Sequence, residues 1–178
     1  ERMGAITRQL KSYARKAGDS LAPVDMRDAV TSALAIMEPQ LKARKIRITK
    51  TLPQSPAIVL GDRLRLEQVI INLLRNAFDA TNASDTAAVD ILLTSGEQVL
   101  LAVRDNGQGI ENLDDLFEPF YTTKQPGDGV GLGLAISSGI VTDLGGRLTA
   151  RNAANGGAVF EVVLPIYRAE GEKDDAAE

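Results

Sequence analysis

Residues 62–81 constrain the fold more than any other segment, because they predict one long helix with a strongly apolar face. On a helical wheel of about 100° per residue, the apolar positions cluster between about 80° and about 160° from Asn72. These positions are Leu66, Ile70, Leu73, Ala77 and Ala80. A polar stripe that contains Asn72, Asn76 and Asp79 adjoins this face.

Two asparagines one turn apart in the middle of an apolar helix require an explanation, because the Asn amide competes for backbone hydrogen bonds. One explanation is that Asn72 and Asn76 lie on a solvated surface. The other is that their amide oxygens face a cleft and help to coordinate a hard cation such as Mg²⁺. This ion prefers oxygen ligands and shares its remaining positions with water and phosphates.

The rest of the chain predicts helices combined with mostly antiparallel strands. A second helix is expected over 25–45. Strands are expected over 46–52, 57–60, 88–94, 99–104, 146–152 and 158–165. The pairs Gly96-Glu97 and Gly156-Gly157 mark hairpin turns. This order favours one α+β domain, built as a two-layer sandwich.

Apolar residues in the first segment recur at alternating spacings of 3 and 4, which is the a/d pattern of a helix that packs against another helix. They are Met3, Ile6, Leu10, Tyr13 and Ala17. Either this helix lies on the surface of its own domain, or it is one arm of a helical hairpin or dimer bundle whose other arm lies upstream. Residues 18–20 and Pro23 mark a linker after it.

The composition excludes several classes of chemistry. The 178 residues contain no Cys and no His, so disulfide frameworks, Cys nucleophiles, His-ligated zinc and imidazole acid–base catalysis are ruled out. The net charge is −4, and basic residues concentrate only in the first 16, so a nucleic-acid footprint is not supported. No stretch reaches the roughly 18 consecutive apolar residues of a membrane span, so a soluble domain is expected.

The first of two glycine-rich segments runs from Asp105 to Ile110, directly after a predicted strand. By itself this segment is consistent with a turn stabilised by Asx hydrogen bonds. An Asp at the end of a strand can also accept a hydrogen bond from an exocyclic amine, while Gly107 and Gly109 let a flat ring approach the backbone.

The second glycine-rich segment precedes another predicted helix. It comprises Gly129, Val130, Gly131, Leu132, Gly133 and Leu134. Backbone amides at a helix N-terminus suit phosphate, but the segment lacks the lysine of a Walker A loop and the spacing of a Rossmann fingerprint. Residues 117–124 lie between the two glycine-rich segments, and Lys124 is the cationic candidate for a terminal phosphate.

Four motifs in this order resemble those of the ATP-binding domain of sensor histidine kinases. Residues 68–77 are similar to the N box, 105–110 to the first G box, 116–124 to the F box and 129–134 to the second G box. On this basis the chain is identified as a member of the GHKL superfamily, which has the Bergerat fold, over about residues 22–166. Its sequence is most similar to that of kinases of the C4-dicarboxylate sensor type.

The resemblance implies three regions. Residues 1–18 are similar to the second helix of a dimerisation and histidine-phosphotransfer hairpin. Residues 19–166 would form the catalytic ATP-binding domain, an α+β sandwich with a mixed, mostly antiparallel sheet. Residues 167–178 would form an acidic, disordered tail.

The resemblance also assigns the residues at the metal and the base. It implies that Asn76 ligates Mg²⁺, that Asn72 supports the metal or the phosphates, and that Asp105 binds the adenine amino group. Gly107, Gly109 and Ile110 would line the base pocket. The role of Asp79 stays open between a helix-stabilising or solvated carboxylate and a water-mediated metal contact.

The phosphates are assigned to the second glycine-rich segment. The residues that would wrap them are Gly129, Val130, Gly131, Leu132, Gly133 and Leu134. Thr123 and Lys124 would lie on a lid, about residues 121–130, that orders over ATP. Asn72, Asn76 and Lys124 are therefore the expected catalytic residues.

The implied activity is that of a protein-histidine kinase, with ATP and Mg²⁺ as cofactors. ATPases of this superfamily have a Glu general base one turn before the metal-binding Asn, whereas this chain has Asn72, and an amide cannot accept a proton from water. Because the chain has no His, the acceptor would lie on the missing hairpin helix or on another chain. The alternatives are a Bergerat-fold ATPase and a nucleotide-binding regulatory or dimerisation module without transfer activity.

The resemblance further implies the partners and the compartment. The expected partners are ATP or ADP, the His-bearing helix of the same kinase and the receiver domain of a response regulator. The full-length protein would be a homodimer. The fragment would be cytoplasmic, attached to an inner membrane only through a missing upstream region.

Overall fold

The computed structural model describes residues 21–81, 86–122 and 131–169. Its helices are α1 (Met26–Arg44), α2 (Arg63–Ala80) and α3 (Gly133–Asp143). Its strands are β1 (Ala22–Asp25), β2 (Arg47–Thr51), β3 (Ile58–Gly61), β4 (Ala88–Ser95), β5 (Gln98–Asp105), β6 (Arg147–Asn152) and β7 (Ala158–Pro165).

Five strands form the main sheet, in the order β2-β4-β5-β7-β6. The pair β2 and β4 is parallel, and the other three neighbouring pairs are antiparallel. Strands β1 and β3 form a separate antiparallel pair. Helix α2 contacts both α1 and α3 and packs on β5, while α3 packs on β6 and β7. The predicted α+β sandwich with a mixed, mostly antiparallel sheet is confirmed.

The apolar face predicted for residues 62–81 forms the centre of the core. The fully buried hydrophobic side chains of α2 include Leu66, Ile70, Leu73, Leu74, Ala77 and Phe78. Opposite them, alternate residues of β5 are buried, as expected for a strand with one covered face. Asp105 ends this strand and continues the buried alternation, so it lies on the face of the sheet that the helices cover.

Two aspartates define where the first two helices begin. The side chain of Asp62 accepts hydrogen bonds from the amides of Leu64 and Arg65, at 2.9 and 3.3 Å. Asp25 accepts one from the amide of Arg27 at 3.0 Å. Both contacts satisfy N–H groups that have no partner within the helix. The helix starts predicted near residues 25 and 62 are therefore confirmed.

The linker was expected at residues 18–20 and Pro23, and residues 18–20 lie outside the described residues. For Pro23 the expectation is wrong, because Pro23 lies in β1 and is opposite Leu60 of β3. Strand β1 has only 4 residues, too few for a clear alternation of apolar and polar side chains. Among the described strands it pairs with β3 alone, and proline is tolerated in such an edge strand because its missing N–H can face away from the partner.

The expected hairpin helix over 1–18 and most of the expected acidic tail lie outside the described residues. Tyr167, the first residue assigned to that tail, donates its amide to the carbonyl of Ile58 at 2.8 Å. Contact between the C-terminal segment and β3 therefore extends past residue 166. None of the helices in the described ranges combines the length and the apolar character needed to cross a bilayer.

Candidate functional site

Asp105 is the buried acidic group of the candidate site. Its residue is 2% exposed, and its Oδ1 accepts hydrogen bonds from the amides of Gly107 at 2.8 Å and Ala158 at 3.3 Å. Both of these hydrogen bonds from other residues go to Oδ1 rather than to Oδ2. One carboxylate oxygen is thus held by the backbone, and the other can accept a hydrogen bond from a ligand amine.

The environment of Asp105 disfavours its charged form. Burial raises the pKa of this carboxyl above its ordinary value of 3.8. The hydrogen bonds from Gly107 and Ala158 and the charge of Arg104 act in the opposite direction, but burial is the larger effect. A ligand that donates a hydrogen bond to this carboxylate would therefore compensate part of an existing desolvation cost.

The first glycine-rich segment packs against the C-terminal end of α2. A Cβ atom at Gly107 would overlap the carbonyl of Ala80, so only glycine allows this approach. The amide of Gln108 donates to the same carbonyl at 3.4 Å. Gly109 has a φ of +81°, a conformation that glycine adopts without strain.

Asn152, at the end of β6, fixes the last residue of this segment. The amide of Ile110 donates to Oδ1 of Asn152 at 2.7 Å, and Nδ2 of Asn152 donates to the carbonyl of Ile110 at 2.9 Å. This reciprocal pair imitates the pairing of two strands. The predicted base-pocket residues Gly107, Gly109 and Ile110 are therefore brought together with Asp105 on one loop.

Asn72 lies at the other end of the candidate site and connects α2 to α3. Its Nδ2 donates to the carbonyl of Gly133 and to Oγ of Ser137, both at 3.2 Å. Its Oδ1 accepts nothing from the described residues and remains available. The side chain is half-buried, so the alternative of a solvated surface is wrong for this residue.

Asn76 lies between the two glycine-rich segments. Asn72, Asn76 and Ala80 follow one another at intervals of four residues, so they share a face of α2 and are separated by about 6 Å of helix rise per step. Asn72 contacts Gly133 at one end, and Ala80 contacts Gly107 at the other. Within the described ranges the half-buried Asn76 side chain makes no hydrogen bond, so its amide can bind a ligand or metal.

Asp79 takes part in a contact between helices. Its Oδ1 accepts a hydrogen bond from Nη1 of Arg44 at 2.8 Å, which joins α2 to the C-terminal end of α1. Of the two roles left open for this carboxylate, the contact with Arg44 supports the helix-stabilising one.

The second glycine-rich segment is described from Gly131 onward. Gly131 has a φ of +68°, and a Cβ there would overlap the backbone of Phe120 and Tyr121. The amide of Phe120 donates to the carbonyl of Gly131 at 2.9 Å. The first turn of α3 has no side-chain cap, so its amides can bind an anion.

The second glycine-rich segment continues into the start of α3, beside the contact with Asn72, through Leu132, Gly133 and Leu134. The remaining predicted site residues fall outside the described ranges. They are Thr123, Lys124, Gly129 and Val130.

Several positioning residues escaped the sequence analysis. Gly157 is in the β6–β7 turn, and a Cβ there would overlap the carbonyl of Asp105. The Gly156-Gly157 pair identified the turn but not its contact with a residue more than fifty positions earlier. Asn152 and Ser137 carried no sequence signal, because a single polar residue in a strand or helix predicts no particular partner.

The donor set fits a magnesium ion that is held mainly by a ligand's phosphates. The described residues contain no group of three or more acidic, His or Cys side chains that could hold an ion alone. They do offer amide oxygens of Asn72 and Asn76 on one face of α2, next to the uncapped start of α3. Mg²⁺ commonly takes one or two protein oxygens and completes its shell with phosphates and water.

Comparison with known proteins places this arrangement in a defined group. Residues 61–168 match the family model described as histidine kinase-, DNA gyrase B-, and HSP90-like ATPase. The chain is 40% identical over 159 residues to the C4-dicarboxylate transport sensor protein DctB of Rhizobium meliloti (strain 1021), which covers 88% of this chain and 25% of DctB. The chain thus spans about a quarter of the length of that relative.

Solved structures have the same fold. The catalytic domain of the histidine kinase ThkA superposes with a TM-score of 0.74 and 28% identity, over 83% of this chain and 99% of that domain. Full-length ShkA in complex with AMPPNP superposes with a TM-score of 0.76 and 28% identity, over 94% of this chain and 36% of ShkA. ThkA in complex with the response regulator TrrA superposes with a TM-score of 0.76 and 23% identity, over 93% of this chain and 48% of that chain. At this identity the last match concerns the fold alone.

Proposed function

Because the chain belongs to the family of histidine kinase-, DNA gyrase B-, and HSP90-like ATPases, we propose that it is the ATP-binding catalytic domain of a two-component sensor histidine kinase. It would transfer the γ-phosphoryl group of ATP to a His on a hairpin helix outside these 178 residues, none of which is His. The observation that carries the proposal is the placement of three side chains. The buried Asp105, at the end of β5, lies near one end of α2, and Asn72 and Asn76 lie along that helix.

The adenine end of the proposed site uses Asp105. Its Oδ2 would accept a hydrogen bond from the exocyclic amino group of adenine, while Oδ1 stays with the amides of Gly107 and Ala158. Guanine has a carbonyl at the corresponding position, which would face the carboxylate with no shared hydrogen. The arrangement therefore favours adenine nucleotides over guanine nucleotides.

The phosphate end of the proposed site begins at Asn72 and α3. Asn76, with support from Asn72, would hold Mg²⁺, and this ion would neutralise and orient the phosphates when bound. Amides of Gly131, Leu132, Gly133 and Leu134 would donate to phosphate oxygens, as would Gly129 and Val130. Thr123 and Lys124 complete the proposal as lid residues, with Lys124 balancing charge on the γ-phosphate.

Position 72 favours transfer to a protein over hydrolysis. The nitrogen of the Asn72 amide donates to two acceptors on α3, and an amide has no basic site that could take a proton from water. In the proposed reaction the bond between the γ-phosphorus and the β–γ bridging oxygen breaks, a bond to a His ring nitrogen forms, and ADP leaves. The proton of the imidazole would be taken by a group beside that His.

The proposed partners follow from relatives that are much longer than this chain. ThkA, which shares the fold, has been solved with its response regulator TrrA, and the relatives of this chain include transport sensors. We therefore include a receiver domain, the His-bearing helix and homodimerisation of the full-length protein in the proposal. The domain would act in the cytoplasm, with membrane attachment supplied by another region.

The decisive experiment uses γ-labelled ATP and Mg²⁺. The chain is incubated alone and then with a separate hairpin fragment that carries the acceptor His, and acid-labile phosphoprotein and free phosphate are scored separately. We expect acid-labile label only when the hairpin is present. Asn76→Asp should reduce transfer at least about tenfold, because a new negative charge alters the metal and phosphate contacts.

The matched control for that variant is Gln98→Glu, the same amide-to-carboxylate change at the exposed far end of β5. It should leave transfer within about twofold of the unchanged chain. Steady release of free phosphate by the chain alone, lost in Asn76→Asp, would instead make it an ATPase. Tight ADP binding with neither activity would make it a regulatory nucleotide-binding module.

A further inference from the structure

Ser137 forms a buried junction with Asn72 that the proposed catalytic roles do not use. Ser137 is fully buried on the side of α3 that faces α2. Its Oγ donates to the carbonyl of Gly133 at 2.9 Å and accepts from Nδ2 of Asn72 at 3.2 Å. Nδ2 also donates to the carbonyl of Gly133 at 3.2 Å. Three groups from two helices thus close a small triangle of hydrogen bonds.

The hydrogens in this triangle determine which way the Asn72 amide is turned. The carbonyl of Gly133 can only accept, so the Asn72 atom beside it must be Nδ2. Ser137 gives its single hydrogen to the same carbonyl and can offer only a lone pair to Asn72. Turning the amide over would put Oδ1 against the carbonyl of Gly133, and Ser137 could then donate to Oδ1 only by giving up its own hydrogen bond to that carbonyl. The observed orientation therefore keeps hydrogen bonds that the reversed one would lose.

We propose that Ser137 is a positioning residue for the metal and phosphate end of the site. It holds the Asn72 amide so that Oδ1, the atom able to ligate or support a cation, is the atom left unbonded. This inference rests on the proposed nucleotide-binding function and adds a residue to it. It also assigns α3 a second role, because the same junction ties the start of this helix to the polar face of α2.

Steric contact alone does not hold the amide. A Cβ added at Gly133 would lie 3.8 to 3.9 Å from the Cγ, Nδ2 and Oδ1 atoms of Asn72, which is ordinary van der Waals contact. Gly133 therefore leaves space for a methyl group beside the amide, and the hydrogen bonds to the carbonyl of Gly133 and to Ser137 are what fix its orientation. With Ser137 replaced by Ala, the amide keeps one acceptor and loses the other.

The size of the expected effect follows from one hydrogen bond. Loss of a single neutral hydrogen bond lowers an equilibrium constant by about threefold to tenfold. In Ser137→Ala the affinity for ADP with Mg²⁺ should fall by this factor. The affinity for ADP in the presence of a chelator should change by less than about twofold, because the adenine contacts of Asp105 lie at the far end of α2.

The variants separate hydrogen bonding from packing. Ser137→Cys nearly preserves volume but replaces the hydroxyl with a weak donor and acceptor, so its magnesium-dependent loss should approach that of Ser137→Ala. The matched control is Ser138→Ala on the same helix, because the half-buried Ser138 side chain makes no hydrogen bond to the described residues. In the background of Asn72→Ala, the change Ser137→Ala should have no further effect.

Nuclear magnetic resonance provides a readout that requires neither metal nor turnover. The side-chain NH₂ pair of Asn72, identified by its loss in Asn72→Asp, should show slowed hydrogen exchange in the ligand-free protein. In Ser137→Ala the exchange should become at least about threefold faster, while Ser138→Ala leaves it unchanged.

The outcomes distinguish this inference from the proposed function. If the unchanged protein binds no adenine nucleotide, the proposed function fails whatever Ser137 does. If it binds ADP with magnesium but Ser137→Ala and Ser138→Ala behave alike in affinity and exchange, the positioning role is wrong. Equal losses of ADP affinity with and without magnesium would assign Ser137 a general packing role and would equally overturn the inference.

Discussion

At the scale of single residues, Asp105 carries the sharpest test of the proposed pocket. In Asp105→Asn the remaining oxygen can keep the amides of Gly107 and Ala158, which turns the new NH₂ group toward the adenine amine. Loss of a charge-assisted hydrogen bond of about 1.5–3 kcal/mol predicts a roughly tenfold to 150-fold weaker ADP affinity, measured by calorimetry. Because burial disfavours the carboxylate, the melting temperature should not fall.

A matched control exists on the neighbouring strand. Asp90 is exposed on β4 beside Arg104 of β5, on the face of the sheet that the helices do not cover. Asp90→Asn removes the same charge and should keep ADP affinity within about twofold. Unchanged ADP affinity in Asp105→Asn would show that the pocket is assigned to the wrong carboxylate.

The pH dependence of binding follows from the same residue. Burial raises the pKa of Asp105 above 3.8, and the ionised form accepts from the adenine amine more strongly than the protonated form does. ADP affinity should therefore fall on acidification through a midpoint above 3.8, and Asp105→Asn should lack that transition. The free energy of unfolding should depend on pH in the opposite direction to ADP affinity. The favourable contribution of Asp105 to stability is present below the pKa of the unfolded chain and is lost as the pH rises through the raised pKa of the folded protein.

At the residue scale, the sequence singled out polar residues that depart from their expected setting. Asn72 was conspicuous because an amide in the middle of an apolar helix is unfavourable, and Asp105 because it ends a strand next to glycines. Ser137 was not, because serine in a helix is unremarkable without its partner. Its partner lies 65 positions away, a separation that no local pattern encodes.

At the scale of elements, two glycines of one segment should respond differently to the same change. Gly131→Ala places a side chain at a φ of +68° and against the backbone of Phe120, so it should cost about 1–2 kcal/mol or more. Gly133→Ala meets only ordinary contacts with Asn72 and adds a better helix former, so it should be neutral or stabilising. Urea denaturation of both variants checks the difference. Equal destabilisation would mean that the Phe120 contact does not form in solution.

Element boundaries were predictable where local rules act alone. The caps at Asp25 and Asp62 and the two glycine-containing hairpin turns follow from backbone chemistry within a few residues. Strand β1 was missed because it consists of few residues, includes proline and depends on pairing with β3, whose partner residues lie 33 to 39 positions later. The contact of Gly157 with Asp105 was missed for the same reason, since it follows from the pairing of β5 with β7.

At the scale of the whole molecule, α2 connects the hydrophobic core to the candidate site. Loss of a buried side chain of this helix should therefore weaken the packing that also supports the site. Phe78 is fully buried on this helix, whereas Leu64 on the same helix is 67% exposed. Phe78→Ala should lower the free energy of unfolding by about 3–5 kcal/mol, because it leaves a cavity among packed side chains. Leu64→Ala should change it by less than about 0.5 kcal/mol. Because the chain has no Trp, chemical denaturation followed by circular dichroism measures the free energy of unfolding of the two variants.

If Phe78→Ala were no more destabilising than Leu64→Ala, the helical layer would not pack on the sheet as described. The overall fold class was predictable because hydrophobic periodicity indicates which segments form helices and which form strands, and in what order. The strand order β2-β4-β5-β7-β6 and the parallel pairing of β2 with β4 were not, because pairing depends on long-range contacts rather than on any single segment.

The two amides that hold Asp105 are made at different times during synthesis. Gly107 is two residues beyond the carboxylate, whereas Ala158 is 53 residues beyond it. A chain still on the ribosome therefore has the first amide long before the second, and the pocket is complete only once β7 has emerged and paired with β5. Nucleotide binding consequently stabilises the finished domain rather than the growing chain.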